Sequence, residues 1–239
     1  MKKKILAVIP ARQGSKRIPQ KNMRLLNNKP LIYYSILAAM KSKMITDTVV
    51  STDSHKIFKY AKRFKKIYVP FLRPTKLSGH NVETCPVIKH AIIEMEKIKN
   101  ITYDLIILLQ PTCPLRTYQD IDQSIKIYDK NKADSVISIV SVGPNHPLRM
   151  KKIKNNGRLI NFMPESLEEN MKPIQKLPTV YIRNGSIYLS TRQQIITKNS
   201  LVGKKVFPYI MTEERSVNID TFDDLFLARK KINNIKSRN

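Results

Sequence analysis

The first apolar run of the chain leads directly into a short basic loop. Residues 4–9 are predicted to form a buried strand, and the residues after them combine Gly14 and Ser15 with the cations Arg12, Lys16, Arg17 and Lys21. Backbone N–H groups beside a glycine, together with fixed cations, can bind a polyphosphate. The loop is therefore a candidate phosphate site, and the alternative is a solvated basic loop.

Oxygen ligands are concentrated near the other end of the chain, in residues 213–224. Asn218 and Asp220 are two positions apart, so in an extended segment both side chains point to the same side. Mg²⁺ prefers oxygen ligands and completes its shell with waters and substrate phosphates. The spacing makes these two residues candidate Mg²⁺ ligands, whereas the alternative is that Asp220 or Thr221 caps the last helix.

Two further polar loops follow predicted strands. Gln110 and Thr112 come directly after a buried strand, in a loop that two prolines stiffen, and the loop either contacts a ligand or is purely structural. Arg73, which precedes Pro74, either contacts a nucleotide or is simply exposed. Asp53, at the end of another strand, either joins the site or caps the next helix. Ligands of open α/β sheets bind beyond the carboxyl ends of the strands, so these loops are expected to meet the basic loop there.

The strongly basic composition is compatible with a nucleic-acid partner. The net charge is +26, from 44 basic and 18 acidic residues in a chain of 239. However, 31 of the 44 cations are lysines scattered along the chain, and recognition of bases and phosphates relies more on arginine. We therefore expect no specific nucleic-acid partner.

Membrane insertion and export are not expected either. No run of 18 apolar residues occurs in the sequence, and the apolar run after the N-terminal lysines is too short for a signal peptide. Cys85 and Cys113 are too few for a disulfide framework. These features favour a reduced, cytoplasmic setting.

Strand and helix patterns alternate through the first 140 residues, which predicts an α/β fold with a doubly wound, mostly parallel sheet. The predicted strands are residues 4–9, 48–51, 67–69, 105–109 and 135–140, and the predicted helices are 30–41, 54–64, 82–97 and 118–131. Later come strands at 185–189 and 206–211 and a closing helix at 222–235. Residues 146–183, which include an Asn-Asn-Gly turn at 155–157, are predicted to be an insertion in a nucleotide-binding domain formed by 1–145 and 184–239.

Seven segments in this order resemble the acylneuraminate cytidylyltransferases, the CMP-sialic acid synthetase family within the nucleotide-diphospho-sugar transferase fold, which is Rossmann-like. The segments are IPARQGSKRIPQKN (9–22), VSTD (50–53), RPTKLS (73–78), LLQPTCPLR (108–116), HPLR (146–149), LPTVYIRNGSIYL (177–189) and SVNIDT (216–221). Together they span nearly the full chain.

The resemblance implies a reaction in which CTP and a nine-carbon 2-keto sugar acid give a CMP-sugar and pyrophosphate. It implies Mg²⁺ as cofactor and a homodimer in which residues 146–183 help to complete the neighbour's site. The implied catalytic residues are Arg12, Lys21 and Asp220. The implied nucleotide-binding residues are Ala11, Arg12, Gly14, Ser15, Lys21, Asn22 and Arg73; the substrate-binding ones are Gln110, Arg149 and Gln175; and the metal ligands are Asp220 and Asn218.

Two positions depart from the family pattern. The metal segment commonly has an aspartate where this chain has Asn218, so one negative charge is missing. An arginine often precedes the glutamine at position 175, and this chain has Ile174 there. The expected acceptor is of neuraminic or legionaminic type. The alternatives are 3-deoxy-manno-octulosonate or pseudaminic acid as acceptor, or a basic nucleic-acid-binding protein. The general base stays open between Asp220 and a metal-bound hydroxide.

Overall fold

A mixed six-stranded sheet forms the centre of the fold in the computed structural model, which describes residues 3–163 and 173–237. The strands are β1 (Ile5–Pro10), β2 (Leu25–Leu26), β3 (Lys29–Pro30), β4 (Asp47–Ser51), β5 (Leu105–Leu108), β6 (Ser135–Ser141), β7 (Lys151–Ile153), β8 (Leu159–Asn161), β9 (Tyr181–Thr191) and β10 (Val206–Ile210). The helices are α1 (Leu31–Lys41), α2 (His55–Ala61), α3 (Thr84–Lys99), α4 (Tyr118–Asn131), α5 (Arg192–Lys198) and α6 (Phe222–Ser237).

The order of the strands in the main sheet is β10-β6-β9-β5-β1-β4. Strand β1 runs parallel to β4 and β5, and β10 runs parallel to β6. The long strand β9 lies between β5 and β6 and is antiparallel to both. The prediction of an α/β fold with a mostly parallel sheet is therefore confirmed, and the antiparallel strand is its one departure within the main sheet.

Helices cover both faces of the sheet, which explains why its central strands are continuously apolar. Successive residues of β1 alternate between two hydrophobic clusters, with Ile5, Ala7 and Ile9 in one and Leu6 and Val8 in the other. A third cluster packs the buried side of α6 against the loop that follows β1. The two ends of the chain are thus brought together at the carboxyl edge of β1.

Some predicted elements differ from the observed ones. Residues 67–69 form only a single parallel bridge, between Val49 and Tyr68, because Pro70 has no N–H to extend the ladder. The predicted turn at 155–157 is confirmed: it joins β7 to β8, and Gly157 has a φ of 79°. Helix α5 and the small β2–β3 hairpin were not predicted.

The insertion predicted at 146–183 contains the β7–β8 hairpin, and its residues 164–172 lie outside the described residues. Strand β9 begins at Tyr181, before the proposed boundary at residue 184, and the division into domains stays a prediction. Within residues 3–163 and 173–237, no helix combines the length and the hydropathy that crossing a bilayer requires.

Candidate active site

A polar cleft of about 390 Å³ opens at the carboxyl ends of β1 and β5. Four parts of the chain line it: the loop after β1, residues 73–87, the loop after β5, and the segment before α6. The lining residues are Pro10, Arg12, Gly14, Ser15, Lys21, Asn22, Arg73, Leu77, Gly79, His80, Val82, Glu83, Thr84, Val87, Gln110, Pro111, Thr112, Asn218 and Asp220. Nine predicted site residues are therefore neighbours in space: Arg12, Gly14, Ser15, Lys21, Asn22, Arg73, Gln110, Asn218 and Asp220.

The basic loop after β1 is fixed by hydrogen bonds to its surroundings. The Asn22 side chain donates to the carbonyl of Arg12 at 2.9 Å, and the Gln13 N–H donates to Asp53 Oδ1 at 2.7 Å. The Arg12 guanidinium donates to the carbonyl of Gly79 at 3.2 Å, across the cleft mouth. Asp53 thus orients this loop, and Ser54 takes the N-cap of α2 by accepting from the Ile57 N–H.

Lys21 joins the basic loop to the acidic segment before α6. Its ammonium donates to Asp220 Oδ1 at 2.8 Å and to the carbonyl of Ile219 at 2.9 Å. The lysine side chain is 14% exposed and the aspartate side chain 48%. The cation proposed for phosphate and the carboxylate proposed for metal therefore neutralise each other in this arrangement.

Arg73 is buried, which rules out the alternative of a simply exposed arginine. Its Nε donates to Ser51 Oγ at 3.1 Å, its second terminal nitrogen donates to the Ser51 carbonyl, and its own N–H donates to the carbonyl of Thr52 at 2.7 Å. Burial lowers the pKa of Arg73 to about 10; the negative charge of Asp53 opposes this shift and the positive charge of Arg12 adds to it. The guanidinium keeps its charge at neutral pH and provides a fixed cation in the cleft wall.

The segment before α6 is anchored so that Asp220 remains available to the cleft. The Ile219 N–H donates to the carbonyl of Thr112 at 2.8 Å, which ties this segment to the loop after β5. Thr221 and Asp224 cap α6 reciprocally, at 2.8 Å and 3.2 Å. Capping is therefore done by Thr221, and the Asp220 carboxylate is left to contact Lys21.

Asn218 and Asp220 are compatible with a bound Mg²⁺ ion. Both line the cleft beside the cationic loop, and Mg²⁺ commonly takes one or two protein carboxylates together with substrate phosphates and waters. The described residues contain no group of three or more His, Cys, Asp or Glu side chains placed to hold a metal. Asp220 and Asn218 therefore stay predicted metal ligands, and alone they would be a partial set.

Three predicted site residues do not line the cleft. Ala11 is fully buried beneath the basic loop. Arg149 and Gln175 are exposed, in short 3-10 helices at Pro147–Arg149 and Ile174–Lys176. The side chains expected to contact the sugar acid are therefore divided in this single chain. Gln110 lies in the cleft, whereas Arg149 and Gln175 lie in the region around β7 and β8.

Sequence reasoning missed one wall of the cleft. Gly79, His80, Glu83 and Thr84 lie there, at and before the first turn of α3. This stretch lacks the clustered charge of the basic loop and does not directly follow a predicted strand, so its position depends on how α3 packs on the sheet. The sequence carries no local signal for this wall, and the structure reveals it through contacts such as the hydrogen bond from Arg12 to the Gly79 carbonyl.

Comparisons with known proteins agree with this geometry. The cytidylyltransferase family model matches residues 6–209. CMP-N,N'-diacetyllegionaminic acid synthase of Legionella pneumophila is 35% identical over 233 residues, which are 95% of each chain. N-acylneuraminate cytidylyltransferase of Escherichia coli O18:K1:H7 is 31% identical over 95% of this chain, which spans only 52% of that longer relative.

A solved structure shares the same fold. CMP:2-keto-3-deoxy-manno-octonic acid synthetase, determined in complex with CTP, superposes with a TM-score of 0.68 over 97% of this chain and 99% of its own, at 15% identity. The family model and the Legionella relative both cover most of the sequence. They show that the chain belongs to the cytidylyltransferase family of nucleotidyltransferase enzymes.

Proposed function

We propose that the protein transfers a cytidylyl group from CTP to a nine-carbon 2-keto sugar acid of the neuraminic or legionaminic type. The products are a CMP-sugar and pyrophosphate. The observation that carries this proposal is the cleft itself, where Arg12, Lys21 and Arg73 meet Asn218 and Asp220. The relatives named as legionaminic and acylneuraminic enzymes support this acceptor class.

In the proposed reaction, the anomeric hydroxyl oxygen of the sugar acid attacks the α-phosphorus of CTP. The bond from that phosphorus to the oxygen bridging to the β-phosphorus breaks, and its electrons leave with pyrophosphate. Negative charge increases on the nonbridging and leaving oxygens, so fixed cations stabilise the transition state more than the ground state. In this proposal Arg12, Lys21 and the backbone around Gly14 and Ser15 supply that stabilisation.

Asp220 and Asn218 would hold Mg²⁺ at the acidic side of the cleft. The ion, when bound, would offset charge on the phosphate oxygens. The Asp220 carboxylate is also our candidate for accepting the proton of the attacking hydroxyl. Two negatively charged substrates must share this cleft, and the excess of positive charge in the basic loop reduces their mutual repulsion.

We further propose that two copies of the chain form a homodimer through the region around β7 and β8. Large apolar side chains are exposed there, with Ile153 at 74%, Leu159 at 63% and Phe162 at 56%. Arg149 and Gln175, which lie away from the cleft of their own chain, would then be able to contact the sugar acid in the partner's cleft. Closed twofold dimers are the commonest assembly of soluble proteins.

The dimer proposal is tested with two charge substitutions. Ile153→Glu places a carboxylate at the centre of the proposed interface, and we expect it to convert the dimer to monomer in sedimentation equilibrium. Phe226→Glu makes a similar change on α6, at a side chain that is 69% exposed, and should leave the mass unchanged. Because association depends on concentration, a wild-type protein that stays monomeric well above the assay concentration would contradict the proposal.

The reaction is tested by measuring pyrophosphate release with CTP, Mg²⁺ and a panel of sugar acids. We expect release only when all three are present, and fastest with a neuraminic or legionaminic acid. Fastest turnover with pseudaminic acid or 3-deoxy-manno-octulosonate would change the acceptor, and no release with any acid would reject the function. Tight RNA or DNA binding that survives about 200 mM salt would instead indicate a nucleic-acid-binding protein.

The two cysteines are free thiols buried in the fold. Free thiols and a nucleotide substrate support our proposal that the protein works in the cytoplasm.

A further inference from the structure

Gly185 occupies a position in β9 where a side chain would be unfavourable on two independent grounds. Its φ is +78°, a region that residues with a Cβ rarely adopt. A Cβ built at this position would also lie 2.9 Å from Gln110 Oε1 and 3.3 Å from Cys113 Sγ. The side-chain amide of Gln110 therefore packs directly on the α-carbon of Gly185, in the floor of the cleft.

The backbone of Gln110 is held from the opposite side by Arg116. The Arg116 guanidinium donates to the carbonyls of Gln110 at 3.4 Å and Ser186 at 2.7 Å, and to Ser35 Oγ at 2.6 Å. The Ser35 hydroxyl also donates to the Gln110 carbonyl, at 3.3 Å. Because Ser186 follows Gly185 in β9, the arginine links the loop that carries Gln110 to the strand on which its amide rests.

Arg116 is a buried cation that is held by neutral hydrogen-bond acceptors. It is 3% exposed, its Nε has no hydrogen-bond partner, and within the described parts of the chain no carboxylate lies at ion-pair distance from it. Its buried charge is compensated by the hydrogen bonds to two backbone carbonyls and to Ser35, with the negative charge of Asp120 also acting on it. Burial lowers the pKa of Arg116 to about 10, which leaves it charged at neutral pH.

We infer that Gly185 and Arg116 are positioning residues that fix Gln110 for binding the sugar acid. Gly185 leaves the space in which the Gln110 side-chain amide packs. Arg116 and Ser35 hold the Gln110 backbone carbonyl by hydrogen bonds. This inference rests on the proposed function, because it assigns Gln110 to the acceptor. Neither Gly185 nor Arg116 is among the residues that line the cleft. Their effect on the reaction would therefore pass through Gln110.

The first test compares two glycine substitutions that each place a side chain at a positive φ. In Gly185→Ala the new methyl group displaces the Gln110 amide, and we expect the KM for the sugar acid to rise about tenfold to a hundredfold, the effect of losing one hydrogen bond to a charged group. The dissociation constant of CTP, measured by calorimetry without acceptor, should not change. Gly143→Ala is the control: its φ is +53°, nothing lies within 4 Å of a Cβ built there, and it precedes the insertion at 146–183, so its KM should equal that of the wild type.

The second test asks whether the effect of Gly185 passes through Gln110. Gly185→Ala is expected to raise the KM in the wild type and to add nothing in a Gln110→Ala background, because interacting residues are not additive. An equal effect in both backgrounds would overturn the inference. So would a matching loss of CTP affinity, since that would place Gln110 at the nucleotide.

Arg116→Lys keeps the inference testable if Gly185→Ala does not fold. The lysine keeps the charge but loses the planar fork, and we expect a raised KM for the sugar acid with an unchanged dissociation constant for CTP. A wild-type KM in this variant would contradict the assignment of Arg116. If the wild type transfers to no acid, the proposed function fails; if the wild type is active and Gly185→Ala behaves like Gly143→Ala, only the positioning inference fails.

Discussion

Replacing Lys21 by methionine is expected to lower kcat/KM for CTP about a hundredfold or more while the fold remains intact. The methylene groups of the lysine are largely buried, and methionine preserves much of that packing. What is lost is one fixed cation in the proposed triphosphate site, and such a group contributes about 3 kcal/mol to transition-state stabilisation. Steady-state kinetics of pyrophosphate release, together with the thermal unfolding midpoint, would measure the two effects separately.

Arg17→Met is the matched control for the Lys21 variant. Arg17 belongs to the same basic loop, but it is exposed and does not line the cleft. We expect its kinetics to stay within about twofold of the wild type, as for most surface substitutions. Equal losses in both variants would mean that the net charge of the loop matters and that Lys21 has no special place in it; full activity of Lys21→Met would contradict the phosphate assignment.

The elements of the fold could be predicted because their patterns are local. Strands β1, β4, β5 and β6 are apolar runs, and the prediction placed α4 at residues 118–131, as observed. The antiparallel course of β9 could not be predicted, because a buried apolar strand has the same pattern in either direction. Helix α5 is short, and Thr191 caps it directly at the end of β9, so no loop separates the two elements.

The cleft could be predicted in part for the same reason. The basic loop, Gln110 and the pair Asn218 and Asp220 each follow a recognisable pattern, and loops at one sheet edge are expected to meet. The contacts between these segments could not be predicted, because they join residues far apart in sequence: Lys21 and Asp220 are separated by 199 positions. The burial of Arg116 could not be predicted either, because nothing in the local sequence Pro-Leu-Arg indicates that the arginine is buried.

Asp220→Asn is expected to have two effects of opposite sign. Mg²⁺-dependent transfer should fall about a hundredfold or more, because the variant loses the one carboxylate of the proposed metal pair. Without metal, however, the affinity for CTP should rise about fivefold, within the range of partly exposed ion pairs. Lys21 then no longer contacts a carboxylate at 2.8 Å, and the repulsion between that carboxylate and the phosphates is removed.

Calorimetry with CTP in the presence of EDTA measures the second effect without any turnover. Asp223→Asn is the matched control: it removes the same charge three residues later, at an exposed side chain that does not line the cleft, and should change neither the kinetics nor the metal-free affinity. Undiminished Mg²⁺-dependent turnover in Asp220→Asn would reject the metal assignment. An unchanged metal-free affinity for CTP would mean that Lys21, once released from Asp220, makes no new contact with CTP. The Lys21–Asp220 ion pair would then not compete with nucleotide binding.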